Sequence, residues 1–112
     1  IITDLDFNSK TATEEIFGPV VTIHKFNEID EAIKIANCTK YGLAASIWTS
    51  DITKGEKIAE KLDTGMVWIN CWLHRDLRVP FGGVKNSGVG REGGLYSLQF
   101  FSELQNICTF QN

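Results

Sequence analysis

Arg75, Arg78 and Arg91 are the only arginines of the chain, and they fall in one loop, between Trp72 and Gly94, with six of its ten glycines. Each guanidinium is a planar fork matched to a carboxylate. From His74 to Arg91 the cations Arg75, Arg78, Lys85 and Arg91 stand against a single acid, Asp76, with Glu92 just outside. The loop therefore holds a surplus of three positive charges in a chain whose net charge is −3, leaving −6 for the remainder. That asymmetry favours a small anionic ligand. It argues against nucleic acid, which needs a basic face over most of a domain. Arg75 and Arg78 both follow an apolar run, Met66 to Cys71, at whose carboxyl end ligands of open α/β sheets gather. Solvated surface arginines are the competing reading, and composition alone divides the two evenly. Phe81, after Pro80, either walls an apolar pocket or plugs the core, the second being the commoner use of such a residue.

Other constellations carry less. Gly88-Val89-Gly90-Arg91-Glu92-Gly93 matches GxGxxG literally, but a 16-residue loop separates it from Cys71 and the chain runs only 19 residues beyond Gly93. A dinucleotide cradle should follow its strand directly and open a helix, with an acid about 20 positions later. Sharp turns and close backbone approach account for these glycines better. Cys71 and His74 stand as C-x-x-H, too few for a closed zinc site, so no metal is expected. Cys71 reads as a small apolar side chain at the end of a strand in preference to a nucleophile activated by His74. Glu14-Glu15-Ile16-Phe17-Gly18-Pro19 says only that a turn enters a strand.

The elements that must position these residues follow from periodicity. Pro19 to Phe26 is β-branched and apolar and predicts a strand. Asn27 with Asp30 predicts a helix cap, and Ile29, Ala32, Ile33 and Ala36 share one helical face. Leu43 to Trp48 predicts a second strand. Ser50 or Asp51 caps a helix in which Ile52, Gly55, Ala59 and Leu62 share a face, and Gly65 sits where a left-handed C-terminal residue is wanted. Met66 to Cys71 predicts a third strand, apolar on both sides apart from Asn70, as in a parallel sheet covered on both faces. Strand, helix, strand, helix, strand is the order of a parallel α/β layer with right-handed crossovers. Leu95, Leu98, Phe100 and Phe101 predict a short helix. Leu104 to Phe110 predicts a last strand whose unpaired edge invites a partner.

At 112 residues and 12.5 kDa the chain makes one small domain at most. Its hydrophobic fraction of 43% is ordinary for a globular protein, and no apolar run approaches the ~20 residues that span a bilayer. The first ten residues lack the basic and apolar regions of a signal peptide. Three widely spaced cysteines, Cys38, Cys71 and Cys108, fit reduced thiols and a cytoplasmic location better than a disulfide framework.

Four motifs in one order, EEIFGPV (Glu14 to Val20), YGLAASIW (Tyr41 to Trp48), GMVWINCW (Gly65 to Trp72) and PFGGVKNSGVGREGG (Pro80 to Gly94), together resemble the C-terminal portion of an NAD(P)-dependent aldehyde dehydrogenase. NCWLHRDLRVPFGG and REGGLYSLQFFSELQN further resemble the branch of that family that oxidises 2-hydroxymuconic or 2-aminomuconic semialdehyde. The resemblance implies the end of the family's catalytic domain over residues 1–102 and an oligomerisation strand over 103–112, the latter pairing with a neighbouring subunit of a homo-oligomer. It implies that Glu15 and Phe17 contact the ribose and ring on the nicotinamide side of NAD. It implies that Arg75, and less directly Arg78, bind a carboxylate of a small-molecule aldehyde substrate, with Phe81 lining the aldehyde tunnel.

In that family a cysteine thiolate attacks the aldehyde, hydride passes to NAD and a glutamate-activated water hydrolyses the thioester. Neither the G-Q-x-C nucleophile motif nor the E-L-G-G base motif occurs here, so this chain alone is expected to be inert. Cys71 matches the family's WVNC strand, beside the pocket. Two alternatives stay open: a free-standing anion-binding or oligomerisation module, and a branch with another substrate, such as betaine aldehyde.

Overall fold

A computed structural model of the chain describes residues 1–111. At its centre is one crossover unit. Strand β2 (Ala44–Ile47) runs into helix α3 (Ile52–Ala59), which returns the chain to strand β3 (Met66–Ile69), parallel to β2 in the register Ala44 to Met66 through Ile47 to Ile69. Asp51 caps α3 as its sequence position predicts, its Oδ1 accepting the Lys54 N–H at 3.0 Å. Gly55 lets the helix close on the sheet, because a Cβ there would meet the methyls of Thr49 and Ile69 at 3.0 and 3.3 Å.

Around this unit lie helix α1 (Lys10–Thr13), helix α2 (Ile29–Asn37), strand β1 (Tyr41–Gly42), strand β4 (Val84–Lys85) and helix α4 (Gly94–Phe100). β1 and β4 pair antiparallel, Tyr41 opposite Lys85 and Gly42 opposite Val84, which ties the glycine-rich loop to the front of β2. Lys85 locks that tie: its Nζ donates to the carbonyls of Asn37 and Thr39 at the end of α2, at 3.0 and 3.2 Å.

Several expectations are corrected. Pro19 to Phe26 does not form a strand of the sheet; it makes one parallel bridge, Ile2 with Thr22, since no strand lies beside it to complete a ladder. Helix α2 is capped differently from the Asn27 and Asp30 reading. Glu28 is its N-cap without a side-chain bond, and the Glu31 carboxylate instead reaches back to the Asn27 N–H at 3.1 Å. Helix α3 ends at Ala59, short of Leu62. Gly65 is not left-handed. What requires glycine there is proximity, because a Cβ would stand 1.7 Å from the Gly82 carbonyl oxygen. No correction falls on Leu104 to Phe110, whose expected pairing is with another subunit: it forms no ladder within the chain, and Leu104, Ile107 and Phe110 are exposed. Asn112, the last residue of the expected oligomerisation strand, lies outside the described residues.

The molecule is drawn out, with extents of 78 × 33 × 22 Å and a radius of gyration of 19.3 Å, where a compact domain of this length has ~13 Å. Its accessible surface is 9167 Å², against ~6,200 Å² for a monomer of this mass. No hydrophobic side chain among the described residues is buried. Between α2, α3 and β2 lies an apolar groove of about 450 Å³ lined by Phe26, Ile29, Ile33, Ile47, Ile58 and Leu62. Ile29 and Ile33 belong to the α2 face that the periodicity picks out, whereas on α3 Ile58 lines the groove and Ile52, picked out for burial, is 50% exposed. The three cysteines are free thiols, and no described helix is long and apolar enough to cross a membrane.

Candidate functional site

Strand β3 delivers the site. After Ile69 the chain turns at Asn70 (φ 55°) and again at Leu73 (φ 54°), two left-handed residues, and doubles back alongside β3, so Arg75 stands beside the strand and not beyond its carboxyl end as expected. The Asn70 side chain ties this turn to the end of β2 through two bonds with the Thr49 backbone. Trp68 packs edge-on against Trp72, ring centroids 5.1 Å apart, and its indole N–H donates to the His74 carbonyl at 2.9 Å. Arg75 thus leaves a segment held on both sides.

Arg75 and Phe81 come together. The guanidinium carbon lies 4.3 Å from the ring centroid, within the range of a cation–π contact. Arg75 Nη2 also donates to Glu92 Oε1 at 2.6 Å, and the backbones of Phe81 and Glu92 exchange two hydrogen bonds of 2.7 and 2.8 Å. Arginine, ring and acid form one unit, with the Arg75 side chain still 46% exposed. Arg78 does not join it. Its fork is turned on Asp76, with Nε at 2.9 and 3.1 Å and Nη2 at 2.5 Å from the carboxylate, and the side chain is otherwise in solvent. The side-chain and backbone bonds from Arg78 hold the Asp76 carboxyl below the usual carboxylate range.

Three hollows adjoin along this face. One of about 270 Å³ is lined by Trp68, His74, Arg75, Asp76, Val79 and Phe81. Phe81 also walls a second, of about 400 Å³, with Leu43, Gly83, Ser87, Arg91 and Glu92. Leu43 and Ser87 in turn border a third, of about 530 Å³, where Glu15 stands with Thr39, Tyr41 and Gly42. Glu14 points elsewhere, paired with Lys40 at 2.7 Å, and that bond raises the Lys40 pKa. Phe17 is 99% exposed and lines none of these hollows.

The remaining cations of the loop are structural. Arg91 Nη1 donates to the carbonyls of Gly83 and Gly90 at 2.9 and 2.7 Å. Lys85 holds the end of α2 and stands 3.6 Å from Asp63. Glu92 is the residue that sequence reasoning passed over. It lies one position past the charged loop, and only the fold-back of Phe81 onto it brings it to Arg75. Among the described residues no group of three His, Cys, Asp or Glu side chains is placed to hold a metal ion.

Residues 1–107 match the aldehyde dehydrogenase family model. The chain belongs to the aldehyde dehydrogenase family. It is 50% identical over 108 residues to 2-hydroxymuconic semialdehyde dehydrogenase of Pseudomonas putida, a match covering 96% of this chain and 22% of that protein. It is also 50% identical over 107 residues to human 2-aminomuconic semialdehyde dehydrogenase, with the same coverage. Its fold superimposes on the Mycobacterium tuberculosis aldehyde dehydrogenase complexed with NAD+, with TM-score 0.85 and 46% identity over 90% of this chain and 21% of that one. Betaine aldehyde dehydrogenase of Staphylococcus aureus follows at TM-score 0.84 and 42% identity, over 88% of this chain and 20% of that one. The chain spans about a fifth of the length of these relatives.

Proposed function

We propose that this chain is the C-terminal part of an NAD-dependent aldehyde dehydrogenase that oxidises a carboxylate-bearing semialdehyde of the 2-hydroxymuconic or 2-aminomuconic type to the acid. The observation that carries the reading is Arg75, ordered on Phe81 and facing a hollow that runs alongside β3 from Gly65 to Trp68. A half-exposed, permanently charged fork beside an apolar ring suits a substrate with an anionic end and an unsaturated body. The same charge opposes a cationic aldehyde, which disfavours the betaine aldehyde branch. The 50% identity to semialdehyde dehydrogenases supports the choice.

The residues present fit the cofactor. Glu15 borders the largest of the three hollows, while its neighbour Glu14 is spent on Lys40, so one carboxylate is left to accept bonds from ribose hydroxyls. Phe17, fully exposed, offers an unoccupied ring face for the nicotinamide. NAD, when bound, accepts the hydride of the oxidation. Glu15 and Phe17 would hold and orient it; Arg75 would hold the far end of the substrate, with Phe81 excluding water from the body between. Arg78, pledged to Asp76, is the weaker candidate for the carboxylate. The nucleophilic cysteine and the base belong to sequence that this chain does not contain, so the segment is inert by itself. Residues 103–112 would pair with a neighbouring subunit, which the exposed Leu104, Ile107 and Phe110 suit.

The test is Arg75→Ala in the full-length dehydrogenase. Loss of a charge-assisted bond costs about 1.5 to 3 kcal/mol, roughly ten- to hundredfold in KM for the anionic semialdehyde. An unchanged KM removes the substrate assignment and leaves family membership intact.

A further inference from the structure

We propose that Glu92 is the positioning residue for Arg75, and so sets how strongly this cleft prefers a carboxylate-bearing aldehyde to an uncharged one; this rests on Arg75 being the carboxylate anchor. An arginine standing half in solvent samples many rotamers, and each capture of a ligand must order it afresh. Here the ordering is done in advance. The Phe81 ring covers one face of the guanidinium at 4.3 Å, and Glu92 Oε1 takes one N–H of Nη2 at 2.6 Å. Of the five N–H donors of the fork, the others remain for a ligand.

Glu92 is itself fixed. Its N–H and carbonyl are bonded to the carbonyl and N–H of Phe81, so the acid and the ring move as one piece and Arg75 is held against both. Next to it, Gly93 and Gly94 are left-handed (φ 99° and 51°) and pressed on the carbonyls of Val79 and Arg78, where a Cβ would come within 2.4 and 2.5 Å. The backbone that follows Glu92 therefore has little room to shift. A second carboxylate brought to the free edge of the fork is repelled by Glu92, but solvent screens that repulsion at this half-exposed position. Loss of the ordered donor has no such compensation, so positioning outweighs competition.

The experiment compares Glu92→Ala, Glu92→Gln and Arg75→Ala in the full-length dehydrogenase, with succinic semialdehyde as the anionic probe and butanal as the uncharged one. Positioning predicts that Glu92→Ala raises KM for succinic semialdehyde about two- to tenfold, the scale of ordering one rotamer-rich side chain, with KM for butanal unchanged. Glu92→Gln, whose amide oxygen still accepts from Nη2, stays within about twofold of the parent. Should the alanine variant fail to accumulate, Glu92→Asp, which draws the carboxylate back by one methylene, must give the same split. A lower KM for succinic semialdehyde in Glu92→Ala makes Glu92 a competitor and overturns the proposal; so does an equal rise for both aldehydes. If Arg75→Ala leaves succinic semialdehyde unaffected, the anchor reading itself falls. If Arg75→Ala matters and Glu92→Ala does not, only the positioning role falls.

Discussion

The side chain of Asn70 extends the parallel sheet by one residue beyond its backbone, accepting the Thr49 N–H on Oδ1 and donating from Nδ2 to the Thr49 carbonyl, both at 2.7 Å. It does so from a left-handed backbone, φ 55°, that asparagine adopts more readily than other side-chain-bearing residues. One residue thus ends β3, closes its edge and aims the loop that carries Arg75.

Asn70→Ala removes both bonds and retains the left-handed turn with a residue that dislikes it. A loss of roughly 1 to 3 kcal/mol is expected, read as a lower urea midpoint of the full-length protein. Asn70→Gly, free of the backbone cost, should fall between the two. Equal midpoints for parent and alanine variant would show that the bonds do not hold the turn.

Gly65 and Gly18 give opposite forecasts for the same change. A methyl at Gly65 meets the Gly82 carbonyl at 1.7 Å, backbone against backbone, whereas a methyl at Gly18 meets nothing within 4 Å. Gly65→Ala should detach the Phe81 to Gly83 stretch from β3 and lower Tm by several degrees. Gly18→Ala should leave it within a degree or so.

The Asp76 to Arg78 clamp should respond to acid. Its carboxyl is held low in the folded state, so the pairing contributes fully above the ordinary Asp pKa of ~3.9 and is lost as pH falls through the lowered value. A carboxyl-carbon NMR titration of Asp76 should have its midpoint under that reference, and Arg78→Ala should restore it. A midpoint at or above the reference in the parent contradicts the clamp.

The isolated chain should bind a hydrophobic dye strongly and turn over no aldehyde with NAD. Half-covered faces of α2 and α3 and the exposed Phe100, Phe101, Leu104 and Phe110 supply the dye's surface. Dye binding as weak as that of an ordinary compact protein, or any measurable oxidation, would count against the proposed division of labour.

Much of the fold was legible because it is local. The Asp51 cap, the face of α2 and the parallel partners β2 and β3 follow from periodicity and capping chemistry that act within a few residues. Pro19 to Phe26 was misread because β-propensity describes a residue's fitness for a pleated surface, and a ladder needs a neighbour that this chain does not provide. Gly65 was given the right residue type and the wrong reason, since close approach to Gly82 depends on a loop 17 positions away in sequence. In the site, the arginine and the ring could be picked out as candidates, but their meeting could not. Nor could the Glu92 contact, which arises from a two-bond closure between residues that no helical or strand period connects.

That closure has a consequence for how such a segment can vary. Phe81 and Glu92 shut the glycine-rich stretch into a ring, and its tip at Val89 is 99% exposed while Gly90 has open space about it. Residues added or removed at the tip leave the hinge of the ring, and the arginine resting on it, where they are. Lineages could remodel the rim of the pocket through insertions there without renegotiating the grip on the anion, and a protein engineer could use the tip as a grafting port.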